Sequence, residues 1–184
     1  MSSISELAQQ WGNEQWAASI PFVERCVEEA EATNGMIVEC GSGLTTLAMM
    51  RTGKQLVSLE HEWEWYQKLK AMEPDAPVAF TPILPDKCRV HDWYDCTAIP
   101  SPENVTLLVV DGPPGHTKGG RFGAVPAVWH ALAPEPTIVL DDVHRFSELD
   151  TLNRWAGAFR MSGAEVQIEV AQGDRPFAVM KVSR

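Results

Sequence analysis

Short apolar runs alternate with amphipathic stretches along most of the chain. Buried strands are predicted where a run of mainly apolar residues is closed by turn residues, at 36–40, 55–60, 78–84, 105–111 and 137–142. Pro82 interrupts the third run, which makes it the weakest of the five, because proline cannot donate a ladder hydrogen bond.

Helices are predicted where apolar residues recur every three or four positions, at 14–32, 45–51, 63–72, 122–132 and 146–161. Pro21 predicts a break in the first of these, with a second helix starting there. The last helix carries its apolar residues on one face, namely Phe146, Leu149, Leu152, Trp155 and Phe159.

The end of the chain has a different pattern. Residues 166–170 and 177–182 alternate between apolar and polar, and Gly173-Asp174 lies between them, which predicts an antiparallel hairpin. Strand–helix alternation followed by a hairpin predicts an α/β fold with a doubly wound, mostly parallel, Rossmann-like sheet. We expect one domain over 1–184, with N-terminal helices over 1–34 and the core over 35–184.

Composition and charge restrict the classes of partner, the cellular location and the metal sites that the sequence predicts. The 184 residues carry a formal net charge of −10, which disfavours nucleic acid as a partner. No apolar run is long enough to cross a membrane and the first residues do not resemble a secretory signal, so we expect a cytoplasmic protein without membrane contact. The cysteines form no C-x-x-C pair, which disfavours structural zinc, and Cys40 is predicted to be a core residue.

The first strand ends in a glycine turn, Gly41-Ser42-Gly43, that leads into a helix. The glycines allow close backbone approach to a ligand, and the helix start offers unpaired N–H groups. Glu60 ends the second strand 21 positions after Glu39, the separation at which an acid can accept hydrogen bonds from ribose hydroxyls. Together these features predict a site for a nucleoside-containing ligand.

These residues carry a family resemblance. Glu39-x-Gly41-x-Gly43-x-x-Thr46 resembles the first motif of class I S-adenosylmethionine (SAM)-dependent methyltransferases, especially the methyltransferase-24-like branch. The segment 57–61, followed by Trp65-Tyr66, resembles the second motif of that branch, and 111–115 and 140–142 resemble its fourth and fifth strand ends. The resemblance covers roughly residues 20–184.

The resemblance implies a set of SAM-binding residues. Those matching Glu39, Gly41 and Gly43 would surround the methionine portion, with Glu39 suited to its ammonium group, and Glu60 would hold the ribose. Asp92 and Trp93 are the candidates that approach the adenine. The full implied set is Glu39, Gly41, Ser42, Gly43, Thr45, Thr46, Glu60, His61, Asp92, Trp93 and Asp111.

A metal site is the next expectation. Asp111, Asp141 and Asp142 end neighbouring strands, and hard oxygen donors at one sheet edge suit Mg²⁺. The arrangement is similar to that of catechol-type O-methyltransferases, in which such residues hold a metal that lowers the pKa of a substrate hydroxyl. The alternative is structural: Asp141 caps the following helix and Asp111 binds turn amides.

The catalytic base is less clearly marked. Catechol-type enzymes carry a lysine three positions after the strand-four aspartate, where this chain has Pro114. His116, Lys118 and His144 are the candidates to replace it. Arg121 and Arg145 are candidates either to bind an anionic substrate or to form surface ion pairs.

The favoured function is therefore SAM-dependent O-methylation of a small hydroxylated molecule, with Mg²⁺ assistance as an option. A metal-independent N-, sugar or peptide methyltransferase, an NAD-dependent oxidoreductase and a non-catalytic Rossmann-like domain stay open, as does a homodimer. Two details disfavour a nicotinamide cofactor: Thr46 stands where a dinucleotide site has its third glycine, and Glu39 would repel a pyrophosphate.

Overall fold

The strands form one main sheet and a short separate pair. The computed structural model describes residues 3–12, 17–85, 91–95, 104–172 and 175–183. Within them lie β1 Met36–Cys40, β2 Leu56–Glu60, β3 Val78–Phe80, β4 Ile83–Leu84, β5 Trp93–Tyr94, β6 Val105–Val110, β7 Leu132–Leu140, β8 Glu165–Ala171 and β9 Phe177–Ser183. The seven-stranded sheet has the order β3-β2-β1-β6-β7-β9-β8, and β4 pairs with β5.

The direction of pairing divides the main sheet. From β3 to β7 all pairs are parallel, whereas β9 runs antiparallel to both β7 and β8. Strand order reverses between β1 and β6, which is where an α/β sheet opens a crevice at the carboxyl ends of its strands.

Six α-helices accompany the strands within the described residues: α1 Ile4–Trp11, α2 Ile20–Ala32, α3 Leu44–Met49, α4 Trp63–Met72, α5 Ala124–Val128 and α6 Phe146–Met161. A 3₁₀ turn at Met50–Thr52 extends α3, and another at Gly120–Gly123 precedes α5. The α2 N-terminus is capped by Ser19, whose hydroxyl accepts from the Phe22 amide, and Pro21 stands in its first turn, where its missing N–H costs nothing.

Helices cover both faces of the sheet. On one face Phe22 and Cys26 of α2 and Met49 of α3 belong to a core cluster with strand residues such as Leu107 and Val139. On the other face α5 and α6 contribute to a larger cluster, which includes Val125, Leu152, Trp155, Val38, Leu108 and Leu140. The expected α/β architecture with a C-terminal antiparallel hairpin is thus confirmed.

No helix among the described residues is both long and apolar enough to span a membrane.

Two predicted elements need correction. The strand expected over 78–84 is two short strands separated by Thr81 and Pro82, the second of which pairs with β5 instead of β2. The helix expected over 122–132 ends at Val128, and β7 begins at Leu132. The β6–β7 register shifts between Val105 and Leu107, opposite the part of β7 that contains Pro134 and Pro136, so the prolines lie where pairing is irregular.

Smaller points concern the first predicted helix, the exposed residues of α6 and the cysteines. The helix expected from 14 to 32 begins at Ile20, residues 17–19 are not helical, and 13–16 lie outside the described residues. On α6, Phe146 and Leu149 are 85% and 44% exposed, so they do not share the buried face of Leu152, Trp155 and Phe159. Cys40 is buried as expected, whereas Cys88, Cys96 and the Gly173-Asp174 turn fall outside the described residues.

Candidate functional site

A cavity of about 550 Å³ opens at the carboxyl ends of β1, β2, β6 and β7. The glycine turn lines it on one side, and Glu60, His61 and Glu62 line it beside that turn. The opposite half is formed by the loop after β6, by Arg175, and after β7 by Asp142, His144 and Arg145. The cavity therefore lies at the switch point in strand order, as predicted for a ligand site.

Glycine is required at the first position of the turn. Gly41 has φ +88°, and a Cβ there would lie 2.8 Å from the backbone nitrogen of Gly112. The two loops are held together because the Gly112 amide donates to the Cys40 carbonyl at 2.7 Å. Close contact between the loops after β1 and β6 thus shapes the floor of the cavity.

Glu39 supports the turn from behind. Its side chain is fully buried, and its Oε2 accepts hydrogen bonds from the hydroxyls of Ser58 and Thr46, the latter at 2.6 Å. The Thr46 hydroxyl oxygen in turn accepts from the Gly43 amide at 3.0 Å. Neither Glu39 nor Thr46 lines the cavity, so the structure places the Glu39 carboxyl behind the glycine turn, and its contact with a ligand ammonium group stays a prediction.

Burial changes the acidity of Glu39. Removal from water raises the pKa of this carboxyl from 4.5 to about 7, and the hydrogen bonds from Ser58 and Thr46 only partly offset that effect. Near neutral pH, therefore, the Glu39 carboxyl is protonated in some molecules and ionised in the others.

Glu60 is held differently, at the cavity wall. Its Oε2 accepts from the Ser42 amide and hydroxyl at 3.1 and 2.8 Å, and its Oε1 accepts from the amides of His61 and Glu62 at 2.8 and 2.9 Å. Burial alone would raise the pKa of Glu60, but the hydrogen bonds from His61, Glu62 and Ser42 outweigh it and lower the pKa. An ionised carboxylate with a fixed orientation results.

Two tryptophans at the cavity were not among the predicted site residues. Trp11 of α1 and Trp65 of α4 stack with ring centroids 5.8 Å apart, and both line the cavity. The Lys68 ammonium lies 4.4 Å from the Trp11 ring centroid. The sequence could have identified Trp65 as a site residue, because it follows the second motif closely. Trp11 carries no such signal, because the sequence predicts only that the N-terminus is helical.

Asp92 and Trp93, the predicted adenine contacts, lie away from the cavity. Trp93 is buried in the core, where it packs edge-to-face against Tyr94 with ring centroids 5.1 Å apart. Neither Trp93 nor Asp92 lines the cavity, and the Asp92 amide donates to the Lys118 carbonyl at 2.9 Å. The aromatic surface of the cavity is provided by Trp11 and Trp65 instead.

The three aspartates meet, as predicted, at one edge of the sheet. Asp111 follows β6, Asp141 and Asp142 follow β7, and one carboxylate oxygen of each lies within 4.8 Å of the others. Asp142 has φ +61°, an uncommon conformation that directs the chain away from the strand and into the loop before α6.

Guanidinium groups occupy this acidic cluster. Arg121 Nη2 lies 3.1 Å from Asp111 Oδ1 and 3.0 Å from Asp142 Oδ2, and Arg121 Nη1 donates to the Asp141 carbonyl at 2.9 Å. Arg175 Nη2 lies 3.0 Å from Asp141 Oδ2 and 3.4 Å from Asp142 Oδ1, and Arg145 Nη1 lies 3.0 Å from Asp142 Oδ2. Three cationic side chains thus face three carboxylates.

Burial raises the pKa of Asp111 well above its ordinary range, with the Arg121 charge acting against that rise and the neighbouring Asp141 and Asp142 adding to it. Burial and Asp142 likewise raise the pKa of Asp141, opposed by Arg121 and Arg175. The donor set does not fit Mg²⁺ while Arg121 stays among the carboxylates, because one oxygen of each aspartate already accepts a hydrogen bond from a guanidinium group and a metal ion would lie beside that positive charge. Asp141 Oδ1 is buried without a hydrogen-bond partner among the described residues.

The three candidates for the catalytic base differ in their position relative to the cavity. His116 and His144 are exposed and line the cavity, which Asp111 and Asp142 also line. Lys118 is exposed and does not line it. Two of the three candidates therefore lie at the cavity.

Solved structures resemble this chain over nearly its whole length. The O-methyltransferase TomG from Streptomyces achromogenes, in complex with SAM, is 15% identical, with a TM-score of 0.67 over 98% of this chain and 89% of that one. An O-methyltransferase from Bacillus cereus, in complex with S-adenosylhomocysteine (SAH), is 12% identical, with a TM-score of 0.69 over 98% and 90%. A SAM-dependent methyltransferase from Aquifex aeolicus is 11% identical, with a TM-score of 0.58 over the full length of both chains.

No protein-family model matches the sequence, and no curated protein matches it either. At these identities the structural likeness shows the fold alone, a Rossmann-like α/β fold that this chain shares with these methyltransferases. The fold that the sequence motifs implied is thereby confirmed.

Proposed function

We propose that this chain is a SAM-dependent methyltransferase that methylates an oxygen of a small hydroxylated molecule. The observation that carries the proposal is the Glu60 carboxylate, which is fixed at the cavity wall beside the glycine turn and kept ionised by its hydrogen bonds. An ionised carboxylate at the end of β2 is the group that accepts hydrogen bonds from ribose hydroxyls in this fold.

The residues around Glu60 suit the rest of the nucleoside. Trp65 lines the cavity together with His61 and Glu62 and would contribute aromatic surface to an adenine ring. The turn at Gly41 to Gly43 leaves room for the methionine portion, and the Glu39–Thr46 pair holds that turn in shape. Glu39 is in this proposal a positioning residue.

The other half of the cavity would take the acceptor. SAM would supply an electrophilic methyl group. An acceptor lone pair would form the new bond to the methyl carbon while the C–S bond breaks, and the electrons of that bond would stay on the sulfur, which becomes the neutral thioether of SAH. His116 or His144 would accept the proton that the acceptor hydroxyl loses. An oxygen acceptor is supported by these two imidazoles and by the O-methyltransferases among the structural neighbours.

Magnesium has no part in this proposal. The aspartates expected to bind it are paired with Arg121, Arg145 and Arg175, so we assign deprotonation of the acceptor to a histidine.

Calorimetric titration with SAM, SAH and NAD⁺ tests the proposal. We expect SAM and SAH to bind and NAD⁺ not to bind, and we expect Glu60→Gln to weaken SAM binding by about 10- to 100-fold, the loss of one or two hydrogen bonds to a charged group. Glu31→Gln, an exposed change on α2, is the matched control and should leave binding unchanged. Binding of NAD⁺ without binding of SAM would instead favour an oxidoreductase.

Turnover is tested separately. SAM labelled on its methyl group, incubated with a panel of phenols, catechols, sugars and amines, should label hydroxylated acceptors and should do so equally in EDTA. Labelling of amines alone would contradict the oxygen acceptor while leaving SAM as the donor.

A further inference from the structure

We propose that the Arg121 guanidinium takes the place of a divalent cation among Asp111, Asp141 and Asp142, so that the native cluster excludes metal. This inference rests on the geometry of the cluster and does not require that the chain bind SAM.

The carboxylates by themselves have a metal-binding arrangement. They come from the ends of two adjacent parallel strands, and one oxygen of each lies within 4.8 Å of the others. Small movements would bring such oxygens to the first coordination sphere of Mg²⁺ or Mn²⁺, which favour carboxylates and water. The sequence pattern that predicts a metal is therefore reproduced in the fold.

What occupies the cluster is a side chain. Arg121 is 4% exposed, and its Nη2 lies 3.1 Å from Asp111 and 3.0 Å from Asp142. The same guanidinium donates through Nη1 to the Asp141 carbonyl at 2.9 Å, so one planar cation reaches all three aspartates. A guanidinium suits this task because its donors are fixed in one plane and it never loses its charge.

The backbone holds Arg121 in that position. Arg121 lies in the 3₁₀ turn Gly120–Gly123, and a Cβ on Gly123 would lie 2.5 Å from the Trp93 ring. This tight packing leaves the turn little freedom to withdraw the guanidinium. A metal ion would have to break the hydrogen bonds of Arg121 and then remain beside its positive charge, with Arg175 and Arg145 adding further cationic charge.

Manganese binding measured by electron paramagnetic resonance tests the inference. For the wild type we expect no site with a Kd below about 1 mM. Arg121→Ala should bind Mn²⁺ at least about 10-fold more tightly than the wild type, and Mg²⁺ should compete. Adding Asp141→Asn to Arg121→Ala should remove the gained site, and Arg160→Ala, an exposed change on α6, should behave as the wild type.

Arg121→Lys separates charge from shape. Lysine keeps one positive charge, so this variant should exclude Mn²⁺ nearly as well as the wild type does, even if its point charge orients the aspartates less well.

Either of two results would overturn the inference. One is a wild-type Mn²⁺ site with a Kd below about 1 mM that Asp141→Asn weakens. The other is an Arg121→Ala variant that is folded by circular dichroism and binds Mn²⁺ no better than the wild type. Should Arg121→Ala not fold even with Mn²⁺ present, the wild-type measurement still decides. SAM titration of the same samples reports on the proposed function independently.

Discussion

The buried carboxyl of Glu39 should make folding stability depend on pH in a direction opposite to that of most acidic side chains. In the folded protein burial raises the pKa of Glu39 to about 7, whereas in the unfolded chain the carboxyl keeps its ordinary pKa of 4.5. The folded state therefore holds this proton more tightly. Its contribution to stability is fully present below pH 4.5 and is lost as the pH rises through 7.

The magnitude follows from the two pKa values. At about 1.4 kcal/mol per pKa unit, a rise from 4.5 to about 7 corresponds to about 3 kcal/mol when both states are ionised, and to about 2 to 3 kcal/mol between pH 5 and 8. Glu39→Gln removes the titration but keeps an oxygen that can accept from Ser58 and Thr46. Its amide nitrogen would stand where Oε1 has no hydrogen-bond partner among the described residues.

Urea unfolding at pH 5, 6, 7 and 8 measures the effect. The difference in free energy of unfolding between Glu39→Gln and wild type should move in favour of the variant by about 2 to 3 kcal/mol from pH 5 to 8. The exposed substitution Glu31→Gln should show no such trend. A difference that stays constant across this range would mean that Glu39 is ionised in the folded state throughout, and the argument from burial would be refuted.

The remaining predictions concern the turn and the base. Gly41→Ala should lower the free energy of unfolding, measured with urea, by more than about 2 kcal/mol, because its Cβ would meet the Gly112 backbone. Gly53→Ala, with φ +70° and open space around it, should lower that free energy by only about 1 kcal/mol, and equal losses in the two variants would contradict the close approach. Replacing His116 or His144 by alanine should lower kcat for methyl transfer by about 10²-fold or more for whichever acts as base, with SAM affinity unchanged, while Lys118→Ala should retain wild-type kcat. Retained kcat in both histidine variants would exclude them.

The sequence predicts best those helices and strands whose bounds follow from the local pattern alone, without knowledge of what they pack against. The bounds expected for α4 and α6 match the structure, and the strands 36–40 and 105–111 are found within a residue. An apolar run of that length has few alternatives to burial, and helical spacing over 10 or more residues leaves little ambiguity. Local sequence was also enough for the glycine turn and for Glu60 at the end of β2.

The details that the sequence does not reveal depend on contacts between distant residues. Glu39 lies in a strand buried on all sides, so its position in the motif does not reveal whether its carboxyl faces the cavity or the hydroxyls of Ser58 and Thr46. Arg121 follows Asp111 by 10 positions and precedes Asp142 by 21, and no periodicity joins them. Trp11 reaches the cavity only because α1 packs beside the glycine turn.

The two halves of the cavity therefore hold their acids by different physical means. Glu60 is kept ionised chiefly by hydrogen bonds from His61, Glu62 and Ser42, with a smaller electrostatic contribution from the His61 ring, so much of its field still acts on whatever enters beside it. The aspartates are paired with guanidinium groups, which cancel their charge and leave little field for a cation. In a chain of net charge −10, the proposed function would draw a cationic sulfonium ligand to the first half, and the proposed guanidinium pairing would exclude a divalent metal from the second. Under these two proposals an acceptor would lose its proton to a side chain, and His116 and His144 line the half of the cavity that would take the acceptor.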